Sequence, residues 1–313
     1  MKIKFKLRTT ILMLSQMVFL IALTNCGGGA GIADCEEVDL DVKGHAIEIS
    51  EFFDQSKAFL EKITYFDKKT NKEVEFSIPQ LDTIGSKEIV NLLEEYKKAD
   101  SNKQKRIFGL RIFYTFDSLH KKIKLYYTPD STSMFIDDGK DEYNFKFTNR
   151  YDSLLNCIEK EIPIYEVYKG KFIDVSKDQI KLEQAVENWK NYKSLIRFDR
   201  YEPLGFSRPF KIEKDAYSVF FPEDEFKAIY EANPNSSELY MVSGVKPIQL
   251  TYRHSINFGT IHPPVNNINK QLRDDEISKF VGRAGNLGQL CPSNCLSFTV
   301  KRIKDCTFKI PED

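Results

Sequence analysis

Apolar side chains recur along this chain with two periods, and the switches between them outline its elements. Ser50 to Leu60 has helical spacing. Ile63 to Phe66 and Val74 to Ile78 flank the polar run Asp67-Lys68-Lys69-Thr70-Asn71-Lys72, a hairpin pattern. Ser86 precedes Ile89, Leu92, Leu93 and Tyr96, which share one helix face, and can cap that helix. From Arg106 to Phe147 the period becomes two: Leu110, Ile112, Tyr114 and Phe116 alternate, as do Ile123, Leu125 and Tyr127, and Tyr143, Phe145 and Phe147. Turn residues at Asp117-Ser118, Pro129-Asp130-Ser131 and Asp137-Asp138-Gly139-Lys140 separate these runs. The pattern predicts an antiparallel meander with one face apolar and the other wet.

Ser176 and Gln179 have capping-box spacing, Val175 and Ile180 have staple spacing, and Leu182, Ala185, Val186, Trp189, Tyr192 and Ile196 mark the face of a long helix. Its aromatic stripe reads as sheet packing, not as a cofactor site. Pro203 to Pro209 reads as a connector between two lobes. Phe221-Pro222-Glu223 opens a short helix through Phe226, Ile229 and Tyr230. Strands are expected at Leu239 to Val242 and Ile248 to Phe258, and a helix at Asp274 to Val281 stopped by Gly282. A closing hairpin is expected from Phe298-Thr299-Val300 and Phe308-Lys309-Ile310. Strand clusters with helices and no regular alternation predict an α+β fold, an antiparallel meander packed with several helices.

The N-terminus follows a different logic. Lys2, Lys4, Lys6 and Arg8 precede an apolar run from Ile11 to Leu23, which ends on Leu23-Thr24-Asn25-Cys26 and three glycines. The run is interrupted by Ser15 and Gln16 and falls short of the ~20 apolar residues of a membrane span. It is a secretory n-region and h-region. Its end resembles the lipobox of bacterial lipoproteins, with Asn25 where Gly, Ala or Ser is most frequent. The resemblance implies signal peptidase II cleavage before Cys26 and diacylglycerol on that cysteine. Gly27 stands where Asp marks inner-membrane retention in enterobacterial lipoproteins, so the resemblance implies the outer membrane in preference to the inner. Gly27 to Ala33 reads as a flexible tether.

Cleavage removes 25 of 313 residues and four basic charges, turning 46 basic and 46 acidic residues into 42 and 46, a net charge of −4. Nucleic acid, which needs a clustered basic face, is not an expected partner. With Cys26 lipidated, five cysteines remain: Cys35, Cys157, Cys291, Cys295 and Cys306. The C-x3-C of Cys291 and Cys295 lacks the second pair of a zinc site and is not a C-x-x-C redox motif. A disulfide from Cys291 or Cys295 to Cys306 is the expectation for an oxidising compartment. A bridge from Cys291 to Cys306 closes a loop of about 15 residues and contributes ~3 kcal/mol in the chain-entropy model.

No catalytic or metal motif emerges, and no cofactor is expected. His45, His120, His254 and His262 form no H-E-x-x-H, and His262 precedes two prolines, which suggests a loop. Ser118-Leu119-His120-Lys121 has the letters of S-x-x-K but falls in a turn without the companion motifs. Gly205-Phe206-Ser207-Arg208-Pro209 lacks the second glycine of a nucleophile elbow. The glycine-rich run Gly282 to Gly288 follows an expected helix, where a phosphate cradle needs a strand, so it reads as a loop or helix cap. Asp137 to Glu142 is out of EF-hand register, and Glu223-Asp224-Glu225 suits a helix N-terminus.

These readings divide the chain into a signal peptide (1–25), a lipidated tether (26–36), an α+β lobe (37–202) and a smaller α+β lobe with the cysteine cluster (203–313), with one or two domains left open. They lead to a membrane-anchored module of the cell envelope that binds a protein or glycan, or acts as a scaffold. Two alternatives stand beside it: an envelope hydrolase whose site is assembled from distant residues, and an accessory subunit of an envelope assembly.

Overall fold

The computed structural model describes residues 31–40, 46–99, 107–137, 144–149, 153–198, 217–232, 236, 238–248, 251–262, 281–285, 289–291 and 300–309. Among them, in chain order, lie β1 (Gly31–Leu40), β2 (Ala46–Ile47), α1 (Ile49–Lys62), β3 (Ile63–Asp67), β4 (Lys72–Glu75), β5 (Leu81–Gly85) and α2 (Ser86–Ala99). Then follow β6 (Ile107–Asp117), β7 (Lys122–Asp137), β8 (Asn144–Asn149), α3 (Leu154–Glu159), β9 (Tyr165–Tyr168), β10 (Lys171–Asp174), α4 (Gln179–Leu195) and β11 (Ile196–Phe198). The remainder comprises β12 (Ser218–Pro222), α5 (Glu223–Ala232), β13 (Glu238–Ile248), β14 (Thr251–His262), β15 (Val281–Gly285), β16 (Gln289–Cys291) and β17 (Val300–Lys309). Helices packed on antiparallel sheets make the fold α+β, as the residue pattern predicts.

Two sheets carry the core. The larger runs β10-β9-β7-β6-β12-β16, with β8 and β1 also on β7 and β17 on β1; the second runs β2-β15-β14-β13-β5. A small third sheet joins β11, β3 and β4. Strand periodicity gives each large sheet two faces. Leu110, Ile112, Tyr114 and Phe116 of β6 meet Leu239, Met241 and Val245 of β13 and Ile256 and Phe258 of β14 in one apolar cluster between the sheets. Burying each such side chain contributes about 1.5–3 kcal/mol before the entropy of ordering is set against it. The opposite face of the second sheet offers Tyr240, Val242 and Ile261 to Ile49, Phe52 and Phe53 of α1.

The far face of the larger sheet departs from expectation. It is covered by α3 and α4, whose Leu154, Cys157, Ala185 and Trp189 pack on Phe113 and Tyr126. The polar residues that suggested a wet face are buried and hydrogen-bond to one another or to backbone. Arg111 and Asp130 are both fully buried and bridged at 2.6 Å, and Arg111 also donates to Ser218 Oγ at 3.1 Å. The Thr115 hydroxyl donates to the Lys124 carbonyl. Pro129-Asp130-Ser131 therefore lies inside the continuous strand β7 and is not a turn. Asp130 sits there as the counter-ion of Arg111.

Further differences are local. α4 begins at Gln179, and its cap is Asp178, whose carboxylate accepts from the amides of Ile180 and Lys181. Ser176 instead donates to Asp174 through both its amide and its hydroxyl. Val175 is buried while Ile180 is 79% exposed, so the staple does not form. Val281–Gly285 is a strand paired with β14, neither helix end nor loop. The expected closing hairpin is replaced by one strand, β17, paired with β1, while Phe298 and Ile310 lie outside the described residues. The Pro203–Pro209 connector also lies outside them. Each large sheet takes strands from both sides of it: β12 pairs with β6, and β13 pairs with β5.

Candidate functional site

The arrangement closest to catalytic chemistry is built where α4 passes over the space between the sheets. His254 alternates with Ile256 and Phe258 on β14, so strand periodicity turns it inward. Its Nδ1 lies 3.0 Å from the Tyr192 hydroxyl of α4, and its Nε2 lies 3.0 Å from Ser243 Oγ of β13. The Tyr114 ring of β6 stacks on the imidazole at 4.0 Å between centroids, and Phe59 of α1 approaches at 5.2 Å.

A serine beside a histidine is the geometry of an activated nucleophile. The environment removes that chemistry. His254 and Ser243 have no exposed surface and Tyr192 has 2%, so a substrate could reach them only through an opened core. Burial also pulls the imidazole down to a pKa of about 3, far from the value that suits a general base at neutral pH. The neutral ring donates through one nitrogen and accepts through the other, satisfied by two hydroxyls. The trio ties α4 to the second sheet by hydrogen bonds, and the larger sheet meets it through the stacked Tyr114 ring.

A second cluster stands at β5. The Asp82 carboxylate accepts from the Tyr127 hydroxyl of β7 and from Gln80 Nε2, each at 2.6 Å. Desolvation raises its pKa to about 6, against the opposing pull of those two hydrogen bonds and of Lys124 and Lys122. Burial and the neighbouring carboxylate hold the Tyr127 phenol well above its ordinary value. Phe172 meets the Tyr127 ring edge-on at 5.5 Å. β5 here touches the other sheet, since the Gly85 amide donates to the Gly170 carbonyl at the β9–β10 turn. Asp82 is only half-buried, which makes it the described acid best placed to exchange protons near neutrality.

Among the described residues, those singled out in the sequence are not gathered into one site. Cys26, Cys295 and His45 lie outside the described residues. Cys291 is on β16 opposite Ser218, and Cys306 is on β17 opposite Cys35. Cys157 is buried under α4. His262 ends β14, a strand position and not a loop. At about 3.4 Å per residue it stands about 27 Å from His254, too far to share a ligand.

His120 and Ser118 occupy the β6–β7 turn, as expected, with His120 Nδ1 2.7 Å from Asp117 Oδ2. Burial raises Asp117, but hydrogen bonds from His120 and Leu119 outweigh it and leave the acid below its ordinary pKa. Glu223, Asp224 and Glu225 form the first turn of α5, where Glu223 bridges Lys97 and Lys227.

Ser243 and Asp82 were not visible as chemistry in the sequence. Ser243 carries a signal only in hindsight of pairing: it interrupts the inward series Leu239, Met241 and Val245 on the strand beside His254. Among the described residues, no three or more His, Cys, Asp or Glu gather as a metal site, and no helix is long and apolar enough to cross a membrane. No protein-family model matches the chain, and neither does any curated protein or solved structure.

Proposed function

We propose that the protein is a lipid-anchored lipoprotein of the bacterial cell envelope, whose folded part binds a protein or glycan or serves as a scaffold. One observation carries the reading: the basic and apolar leader that ends on Leu23-Thr24-Asn25-Cys26 before a run of glycines. Two or more acyl chains on Cys26 give stable anchoring, because each buried methylene contributes ~0.8 kcal/mol and a single chain is marginal. The mature chain needs no other membrane contact. The sealed Tyr192–His254–Ser243 trio supports a binding role over a hydrolytic one, since its serine–histidine pair is locked in the core.

Mass spectrometry of the mature N-terminus checks the anchor. The expected product begins at Cys26 and carries acyl chains, and Cys26→Ser leaves the leader uncleaved and the protein without lipid. An unmodified Cys26 in envelope-derived protein overturns the reading. Protease treatment of intact cells then assigns the folded part to the outer surface or the periplasm, which decides the partners it can meet.

A further inference from the structure

The antiparallel pair β1–β17 runs in register from Ile32 opposite Lys309 to Asp39 opposite Arg302, and within it Cys35 stands directly opposite Cys306. Directly opposed positions of an antiparallel pair share one face of the sheet, with Cα atoms about 4.5–5.5 Å apart. That interval lies inside the range of about 4.4–6.8 Å that a disulfide spans. Cys291 belongs to a different ladder, on β16 in register with Ser218 of β12.

We infer that Cys35 and Cys306 form a disulfide that joins β1 to β17, the first and last of the described strands. The inference rests on the envelope reading, which supplies an oxidising compartment. Two S–H bonds break and one S–S bond forms. A disulfide of the oxidant, protein or glutathione, takes up the two electrons and the two released protons and leaves as two thiols.

The place in the fold gives the bond work to do. β1 meets the larger sheet through two register pairs, Gly31 with Ile136 and Ile32 with Phe135, and the rest of its described pairing is with β17. A two-stranded ribbon is marginal in water by itself. β1 begins at Gly31, inside the 26–36 stretch expected as tether, so any pull from the anchored end reaches it first. A covalent rung holds the register against slippage.

The test is a non-reducing protease digest of the full-length protein isolated from the cell envelope, with free thiols alkylated beforehand. The expected result is one peptide pair linked through Cys35 and Cys306, which separates on reduction. The same digest reports acylation of Cys26 independently, so an acylated Cys26 without the link overturns the disulfide alone. A link with an unmodified Cys26 overturns the anchor alone. Incubation with oxidised glutathione before alkylation separates geometry from compartment. Alkylated Cys35 and Cys306 after that treatment, or Cys306 linked to Cys291 or Cys295, overturns the inference.

Discussion

Two titratable side chains, His254 buried and Asp82 half-buried, set opposite pH dependences on the stability of this fold. His254 falls from its ordinary 6.5 to about 3 through burial. The folded state therefore favours the neutral ring, and its contribution is complete above pH 6.5 and lost as pH falls towards 3. Asp82 rises from 3.8 to about 6 through desolvation. Its contribution is complete below pH 3.8 and lost as pH rises through 6. At about 1.4 kcal/mol per unit the two slopes cancel across pH 4–6. Asp82→Asn removes the falling slope. The variant should match the wild type near pH 4 and exceed it by about 2 kcal/mol at pH 7, part-exposure of the residue trimming the full shift. Urea unfolding of both proteins at pH 4, 5.5 and 7 measures the difference, and a constant difference across that range would contradict the Asp82 assignment.

Elements were legible where the residues that define them act alone, and illegible where distant partners decide. The face of α2 is readable because Ile89, Leu92 and Leu93 are buried by simple helical spacing. The second face of β6 is not, because Arg111 and Thr115 look solvated in a binary pattern while Asp130, Ser218 and a backbone carbonyl accept hydrogen bonds from them inside. Pro129-Asp130-Ser131 has turn composition, yet β6 pairs with it along the whole ladder and tertiary context overrides the local preference. Glycine in Val281–Gly285 likewise suggested a loop, and the edge of β14 recruited it as a strand. The start of α4 is a nearer miss: two plausible caps stand two residues apart, and Asp174 captures Ser176. Asp178→Ala should then cost about 1 kcal/mol, while Ser176→Ala, which leaves the helix amides capped, should cost less. Thermal melts of both variants, compared by circular dichroism, test this order; a larger loss from Ser176→Ala would return the cap to the serine.

At the scale of the molecule, the chain order and the spatial order disagree, and that disagreement controls how it unfolds. A boundary at residue 203 follows from the proline-rich run there. Yet β6 of the first part pairs with β12 of the second along five register positions, and β13 of the second pairs with β5 of the first along five more. The cluster between the sheets draws Tyr114 and Leu93 from one side of 203 and Phe221, Met241 and Phe258 from the other. The His254 lock repeats the pattern, since Tyr192 precedes the boundary and Ser243 follows it. Either part alone would expose these faces and leave two strand edges unpaired, a large loss against the usual 5–15 kcal/mol of domain stability. The site residues were illegible for the same reason: their partners lie tens of residues away, and spacing along one chain carries no record of that pairing. A polypeptide of residues 37–202 should therefore show no cooperative thermal transition, whereas residues 26–313 should melt in a single one, with fluorescence of Trp189 and circular dichroism giving coincident curves. Independent cooperative melting of the 37–202 fragment would establish two autonomous lobes and would confine the interleaved strands to a docking contact between them.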